Sequence, residues 1–540
     1  ERHSGSIERR TTFKIVVATD LTADSIDLLE NEPGILLENV APAIPTVRKA
    51  LADAHALIAR ADLPIDRNLL EHAPNLKVIG RPSAGLGGID LQAATERGII
   101  VMNMPGISAI AAAEHTITLI LALSRRLIDA HNNMKAGFWL MDRKQQVGNQ
   151  IYGKTLGIIG LGRVGRAVAQ RALAFGMTVL AYDPYLSEDQ LEDSRVFLLG
   201  LRELLERSDF VSIHVPATGE TADLVDETFI STMKPGAKLV NTAHGSIVDE
   251  TALTEALKSG HLSGVAVDVF AEEPPYNSPL VGMDGVIHTP HIGDNTIEAM
   301  QDVSTHIVGQ VLDALRDVDY RNVVNMPFVP GMDFETIRPY LILAERIGTL
   351  QHVLARHAIH RIAVELRGEE VDRLVKPITV ALLKGLLTPI LGDTVSYINS
   401  PLLAAERGIQ VTQVKGLKVG DYTNMVSCMV TLEDGEEILM AGTLLDHTDP
   451  HIMQINEYRM NFVPQGHLLL MGSHDQPGVI GKVGTLMSTN GVNIASWHTG
   501  RAQPGGQTLT VLTLDQPMPQ DVLDELLKLD FIRHAHGTQL

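Results

Sequence analysis

Three glycines mark the stretch of this chain best suited to hold a phosphate. In TLGIIGLGRVGRAVAQ, residues 155–170, Gly160, Gly162 and Gly165 follow an apolar run of strand type and open an alanine-rich run of helix type. Gly160 permits a tight turn, Gly162 lets the backbone approach a pyrophosphate, and Gly165 allows helix and strand to pack closely, with the phosphates facing the helix N-terminus. Asp183, eighteen residues beyond Gly165 at the end of the next apolar run, is placed to accept hydrogen bonds from a ribose diol and to repel a 2′-phosphate. The pattern predicts a dinucleotide site that prefers NAD to NADP.

A second pair of side chains is suited to moving a proton. Removing hydride from a 2-hydroxy acid needs a group to take the hydroxyl proton, a cation to hold the carboxylate, and a nicotinamide beside the carbon. His291, in HTPHIGDNT, ends a predicted strand at the edge where open α/β sheets place ligands, and Glu273, in VDVFAEEPPYNSPL, stands in a turn before two prolines. A carboxylate beside an imidazole favours the imidazolium, which suits acid/base work near neutrality. The competing reading is structural: with 21 histidines in the chain most must be packing or surface groups, and a turn of this type is commonly solvated.

Such residues need strands whose ends converge on a cleft. From Phe13 short β-branched runs alternate with helical ones (FKIVVATD, SIDLLENEP, ALIAR, NLLEHAPNLKVIGR), and the rhythm resumes after residue 150 with TLGIIGLG, TVLAYDP, FVSIHVP, AKLVNTA, GVAVDVF and GVIHTPH. Runs that are apolar without alternation are strands covered on both faces, so both sets predict parallel sheets with crossover helices. Between them, AAAEHTITLILALSRRLIDAHNNMKAG has helix-forming composition and bridges two α/β lobes. YRNVVNMPFVPGMD reads as a linker, residues 335–463 mix helix and strand signals, and the stretch from His467 runs strand, helix, strand, strand, helix, strand. That last order is ferredoxin-like.

Composition narrows the function classes. At 540 residues the chain is multidomain, and with 45% apolar and 20% charged residues it is globular. A formal charge of −21 argues against nucleic acid as a partner. Cys428, the single cysteine, excludes an intrachain disulfide and a cysteine-based zinc cluster, and fits a reducing, cytoplasmic setting. No metal-ligand cluster stands out, and no uninterrupted apolar run approaches the roughly eighteen residues that span a bilayer. The opening residues, ERHSGSIERRTT, lack an apolar core and read as a loose tail, residues 1–12.

The motifs together resemble one family, the D-isomer-specific 2-hydroxyacid dehydrogenases, and within it the long phosphoglycerate dehydrogenases. The likeness runs from Phe13 to Leu540 and is carried by GGIDLQAATERGIIVMN, AAAEHT, YGKTLGIIGLGRVG, TFISTMKPGAKLVNTAHGSIVDETALTEALKSGHLSGVAVDVFAEEPP and TPHIGDNTIEAM. It implies an α/β protein of two doubly wound lobes: a Rossmann-type NAD domain (104–293) inserted in a flavodoxin-like substrate domain (13–103 and 294–326). An α+β intervening domain (331–464), similar in KGLLTPILGDTVSYINSPLLAAERGI, and a ferredoxin-like ACT domain (467–540) would follow. The resemblance makes His291 the acid/base and Glu273 its partner. It counts Arg163, Val164, Pro184, His214, Pro216, Thr242, Asp268 and His291 among the cofactor contacts, though His214 is as readily a packed core histidine. Arg81, Ser83, Gly85 and Ser108 would face substrate. In HDQPGVIGKVGTLMSTNGVNIASWHTGR, His474, Asp475, Pro477 and Gly478 would meet serine as effector, with Asn493 contributing from a neighbouring region or subunit of a homotetramer. An ACT fold used only for assembly stays open. The implied reaction is NAD-dependent oxidation of D-3-phosphoglycerate, a phosphorylated 2-hydroxy acid, to 3-phosphooxypyruvate, entering L-serine synthesis.

The chain departs from the family where substrate should sit. KLVNTAHGSIVDE holds His244 where the family has arginine, and histidine is shorter and loses its charge near neutrality. Ser83 in RPSAGLGG replaces a glycine of the loop after Arg81, and Ser108 and Ala111 replace an asparagine and a small hydroxyl residue. Three readings remain open: a dehydrogenase slowed by His244, which would act as a pH-dependent cation; a dehydrogenase of another 2-hydroxy acid; and an NAD- or serine-binding regulatory homologue that has lost the hydride step.

Overall fold

The computed structural model describes residues 12–139, 147–191, 193–328, 334–368, 371–416 and 424–540. The expected tail lies outside these residues except for Thr12. Two compact units emerge, one formed by Leu21–Asp27 with Met104–His306, the other by the remaining described residues.

In the second unit named, the strands first predicted from Phe13 form a parallel five-stranded sheet: β1 (Phe13–Ala18), β2 (Ile35–Asn39), β3 (Ala56–Ala59), β4 (Val78–Gly80) and β5 (Ile100–Met102). Their order, β2-β1-β3-β4-β5, is the flavodoxin-like doubly wound order. The sequence reading names no strand at β2, an edge strand whose alternately exposed residues lack the continuous apolar signal of its neighbours.

The other unit holds a seven-stranded parallel sheet: β6 (Thr155–Ile159), β7 (Thr178–Tyr182), β8 (Val196–Leu198), β9 (Phe210–Ile213), β10 (Ala237–Asn241), β11 (Leu262–Val267) and β12 (Val286–His288), in the order β12-β11-β10-β9-β6-β7-β8. The order in which successive strands are added reverses between β6 and β9, and ligands of open α/β sheets bind at the carboxyl ends beside such a reversal. The stretch expected to be helical is two helices, Ala109–Arg125 and Leu127–Lys135, broken at Arg126, whose φ of 50° lies in the left-handed region.

Residues after 334 continue the first-described unit with a mixed six-stranded sheet: β13 (Ile359–Gly368), β14 (Gln410–Gly416), β15 (Asn424–Leu432), β16 (Glu437–Leu445), β17 (Asp449–Ile455) and β18 (Tyr458–Phe462). Helices Phe334–Leu354 and Val371–Leu391 pack on it and on each other. Their axes come close because a Cβ at Gly348 would strike the Leu382 carbonyl and one at Gly385 the Glu345 carbonyl. The segment Arg373–Thr394, with a mean hydropathy of 1.6, is long and apolar enough to cross a membrane, but two-thirds of that window is buried here, as in the core helix of a folded domain. Cys428 lies at the centre of β15, fully buried, its carbonyl accepting a hydrogen bond from Gln351 Nε2 at 2.8 Å.

The last four strands are β19 (His467–His474), β20 (Ile494–Arg501), β21 (Gln507–Leu514) and β22 (Ile532–Gln539), antiparallel in the order β20-β21-β19-β22. Alternation sorts their side chains. Leu469, Met471, Leu512 and Leu514 pack under helices Val479–Thr489 and Gln520–Leu526, while Leu468, Leu470, Leu509 and Val511 join the core of the preceding sheet domain.

Candidate active site

The glycine turn follows β6 at the reversal in strand order. Gly160 has φ +89°, a conformation that L side chains rarely adopt, and a Cβ at Gly165 would collide with the Gly160 carbonyl, so both positions demand glycine to seat helix Arg163–Ala174 on β6. Gly162 differs, because a Cβ there would meet nothing. Its bare backbone therefore faces open space at the helix N-terminus, where a pyrophosphate would need it. Asp183 follows β7 directly, with Oδ2 accepting the Leu161 N–H at 3.0 Å and Oδ1 the Tyr185 N–H at 3.0 Å. Half-buried, it retains acceptor capacity for a ribose. The donor set and the open cradle fit NAD.

His291 and Glu273 meet. The imidazole Nδ1 and Glu273 Oε2 stand 2.8 Å apart, both side chains reachable from solvent, and Glu273 Oε1 is fixed by the Phe270 N–H at 3.1 Å. Burial alone would lower the His291 pKa. The hydrogen bond and charge of Glu273, with the charges of Asp268 and Asp294, outweigh it and hold the imidazolium above its ordinary range.

Asp268 requires a correction. Expected to touch cofactor, its carboxylate is 1% exposed and spent on its own chain. Oδ1 accepts the Thr289 hydroxyl at 2.6 Å and the Ile292 N–H at 2.9 Å, Oδ2 accepts the Gly293 N–H at 2.8 Å, and the Asp268 carbonyl accepts the His291 N–H at 2.9 Å. Burial raises a carboxyl pKa, but these bonds and His115 at 3.4 Å bring it down to about 2. Asp268 thus holds the 289–293 loop, including His291 at a left-handed φ of 53°. His115, whose Nε2 also lies 3.1 Å from the Thr289 hydroxyl, and Thr289 complete this hub, and sequence reasoning missed both. A histidine on a helix and a threonine far along the chain give no local signal that they converge.

His244 caps a short turn after β10. Asn241 shapes it, donating from Nδ2 to the His244 carbonyl at 2.9 Å and accepting the Ala243 N–H at 3.0 Å, and a Cβ at Gly245 would strike the Phe270 backbone. The ring is charge-coupled to the dyad: desolvation and His291 lower its pKa, and Glu273 only partly offsets them. Its pKa thus lies below the ordinary imidazole value, which favours the neutral ring. Ser108 lies at the start of its helix with Oγ 3.4 Å from Asp294 Oδ2, and the Thr242 hydroxyl meets that of Thr116 at 2.7 Å. His214 is paired with the Ser212 hydroxyl, and burial pushes its pKa down to about 3, so it serves as a neutral group. Val164 is half-buried, Pro184 and Pro216 are exposed, and the Arg163 guanidinium donates to the Pro105 carbonyl.

Arg81, in the other unit, is the second correction. Expected to hold the substrate anion, it is 0% exposed, and its guanidinium donates to the carbonyls of Arg60, Leu63 and Gly87. It pins its own loop. Ser83 folds back, its hydroxyl 3.3 Å from the Gly85 carbonyl, and Gly85 is exposed with nothing around it.

The five effector candidates do not gather within one chain. His474 Nε2 accepts Arg533 Nη2 at 3.0 Å, and Asp475 Oδ2 accepts the Gly505 N–H at 2.9 Å and Arg501 Nη1 at 3.3 Å. Pro477 is exposed, and Gly478 starts helix Val479–Thr489 at φ +94°. Asn493 instead bonds Asp515 at the far end of β20 and β21, roughly 25 Å away at about 3.3 Å per residue of strand.

Comparison with known proteins agrees with this architecture. Residues 117–293 match the NAD-binding domain of D-isomer-specific 2-hydroxyacid dehydrogenases, 336–456 the D-3-phosphoglycerate dehydrogenase intervening domain, and 467–531 the ACT domain. D-3-phosphoglycerate dehydrogenase of Archaeoglobus fulgidus is 38% identical, over 98% of this chain and 100% of that one. The Bacillus subtilis enzyme of the same name is 35% identical, over 95% and 97%. Among solved structures, the TT0316 protein of Thermus thermophilus covers 58% of this chain and all of its own (100%) at 36% identity with a TM-score of 0.54. A Staphylococcus aureus NAD-dependent formate dehydrogenase in complex with NAD covers 58% and 99% at 28% identity with a TM-score of 0.51. With an NAD-binding domain, an intervening domain and an ACT domain in the order of its full-length relatives, the chain belongs to the D-3-phosphoglycerate dehydrogenases of the D-isomer-specific 2-hydroxyacid dehydrogenase family.

Proposed function

We propose that the chain oxidises D-3-phosphoglycerate to 3-phosphooxypyruvate with NAD, the first step of L-serine biosynthesis, through the four-domain division set out above. The observation that carries the reading is the 2.8 Å contact between His291 and Glu273 on a loop fixed by Asp268, in the sheet that bears the glycine turn. Bound at Gly160, Gly162, Gly165 and Asp183, NAD supplies the hydride acceptor. His291 takes the hydroxyl proton on Nε2 while Glu273 holds Nδ1 and stabilises the charge that forms. Neutral His244 offers one hydrogen bond to the substrate carboxylate where an arginine would grip it with two.

That weaker grip favours low turnover, or a 2-hydroxy acid that asks less of position 244, as the second reading. Measuring NADH formation from D-3-phosphoglycerate at alkaline pH decides between them. We expect slow wild-type activity, a gain of about a hundredfold in His244→Arg from the restored donor, and loss in His291→Asn. If wild type and His244→Arg are both silent while NAD binds, the phosphoglycerate assignment is wrong.

Serine as effector, a homotetramer and a cytoplasmic location belong to the same proposal. An oligomer would let Asn493 of one subunit approach His474 of another, from which it is separated within one chain.

A further inference from the structure

The strands on either side of the glycine turn send loops toward each other across it. In register, Ile159 at the end of β6 stands between Ile213 at the end of β9 and Tyr182 at the end of β7, so those two strand ends lie about 10 Å apart at roughly 4.8 Å per strand. Just beyond β7, Tyr185 donates its hydroxyl at 3.1 Å to Oε2 of Glu220, which belongs to the loop after β9. The hydrogen bond therefore spans the carboxyl end of β6, within one compact unit, at the reversal in strand order where a dinucleotide would lie. Both anchors are fixed. Asp183 Oδ1 holds the Tyr185 N–H at 3.0 Å, while Oδ2 of the same carboxylate holds the Leu161 N–H of the glycine turn. On the far side Thr221 Oγ1 donates to the Pro216 carbonyl at 2.6 Å and accepts the Thr218 N–H at 2.8 Å, so residues 216–221 form a tight turn that carries Glu220. The Tyr185 side chain is 80% exposed, so core packing does not place it there. Its bond to Glu220 does. The hydrogen bond and charge of Glu220, then desolvation, then the charge of Asp183 push the phenol pKa up, so the hydroxyl remains a donor well above neutral pH.

We propose that Glu220, held over the crevice by Tyr185, is a second determinant of the preference for NAD over NADP, acting with Asp183 to exclude a 2′-phosphate. The proposal rests on a dinucleotide lying over the glycine turn with its adenine ribose at Asp183. A ribose diol brings no charge to that place, whereas a 2′-phosphate brings negative charge to a crevice that already carries two carboxylates. Asp183 by itself is a softened charge, because two backbone N–H dipoles point at it. Glu220 is held by a neutral hydroxyl instead, which fixes its position without cancelling its charge, as a lysine or arginine partner would. Tyr185 is thus a positioning residue that acts through the carboxylate.

Titrating the full-length protein with NADH and with NADPH, followed by the fluorescence of the nicotinamide, reads both affinities without turnover. Wild type should hold NADH well ahead of NADPH. Glu220→Gln, which keeps a hydrogen-bond acceptor and removes the charge, should narrow that preference about tenfold, mostly by tightening NADPH, and added salt should shrink the effect. Tyr185→Phe should narrow it in the same direction and add nothing in the Glu220→Gln background, because the hydroxyl acts through the carboxylate. Asp183→Ala should leave a residual preference for NADH that Glu220→Gln removes. Tyr185 and Glu220 are both exposed, so these substitutions leave the core of the domain intact. A preference unmoved by Glu220→Gln, a Tyr185→Phe effect undiminished in the Glu220→Gln background, or wild type that binds NADPH as tightly as NADH overturns the proposal. Wild type that binds neither cofactor overturns the dinucleotide site along with it.

Discussion

Two imidazoles near one carboxylate, His291 and His244, are shifted in opposite directions, one above and one below the ordinary 6.5. Oxidation needs His291 neutral to accept a proton, a state reached only above its raised pKa. At such pH His244, lowered below the ordinary imidazole value, favours its neutral form, so a basic His291 is accompanied by a mainly neutral His244. His244→Gln should therefore leave alkaline NADH formation within a few-fold of wild type, whereas Glu273→Gln should lower it by about 10²–10⁴-fold and move the acid limb of the kcat/KM profile to lower pH. Steady-state kinetics from pH 6 to 10 read both, and a fall in His244→Gln as large as in Glu273→Gln would rule out a neutral role for His244. Stability follows the same shifts. The raised His291 stabilises the fold fully below about 6.5, and that contribution fades as pH rises through its folded value, while Asp268, brought down to about 2, contributes above its ordinary 3.8 and is lost as pH falls toward 2.

Elements explain which expectations were legible. The glycine turn was, because its chemistry is local: positive φ at Gly160, the close approach at Gly165 and the open space at Gly162 all follow from residues a few positions apart. Gly162→Ala should leave the melting temperature nearly unchanged while weakening NAD binding, and Gly165→Ala, forced against the Gly160 carbonyl, should destabilise the domain by about 1–3 kcal/mol. Thermal melts with and without NAD distinguish the two, and equal losses of stability would show that Gly162 is packed after all. The ferredoxin-like order was legible from alternation and turn residues. Arg81 and Asp268 were not, because each is defined by partners far along the chain, the carbonyl of Leu63 for one and the 289–293 loop for the other. A conspicuous charge in a sequence reads as a site, although burial can turn its hydrogen bonds to holding the fold. The edge strand Ile35–Asn39 escaped for the converse reason, since half-exposed positions dilute its apolar signal.

Across the whole molecule, the final sheet is not an independent bead. Leu468, Leu470, Leu509 and Val511 complete the core of the preceding domain, and Tyr320, Met326 and Phe328 of the linker pack against that same core. Burying each of those four side chains contributes about 1.5–3 kcal/mol. Truncation after Gln465 should accordingly yield a chain that melts earlier and aggregates more than truncation after Phe328, which removes both C-terminal domains together. Soluble yield and melting curves of the two truncations check this, and a well-behaved 1–465 fragment would contradict the shared core. Within that core Cys428, whose thiol is pushed up by complete burial, is inert while the domain is closed. With no competing sulfhydryl anywhere in the polypeptide, a maleimide dye added to native protein will mark only molecules that have breathed open around β15, so its labelling rate times that opening directly.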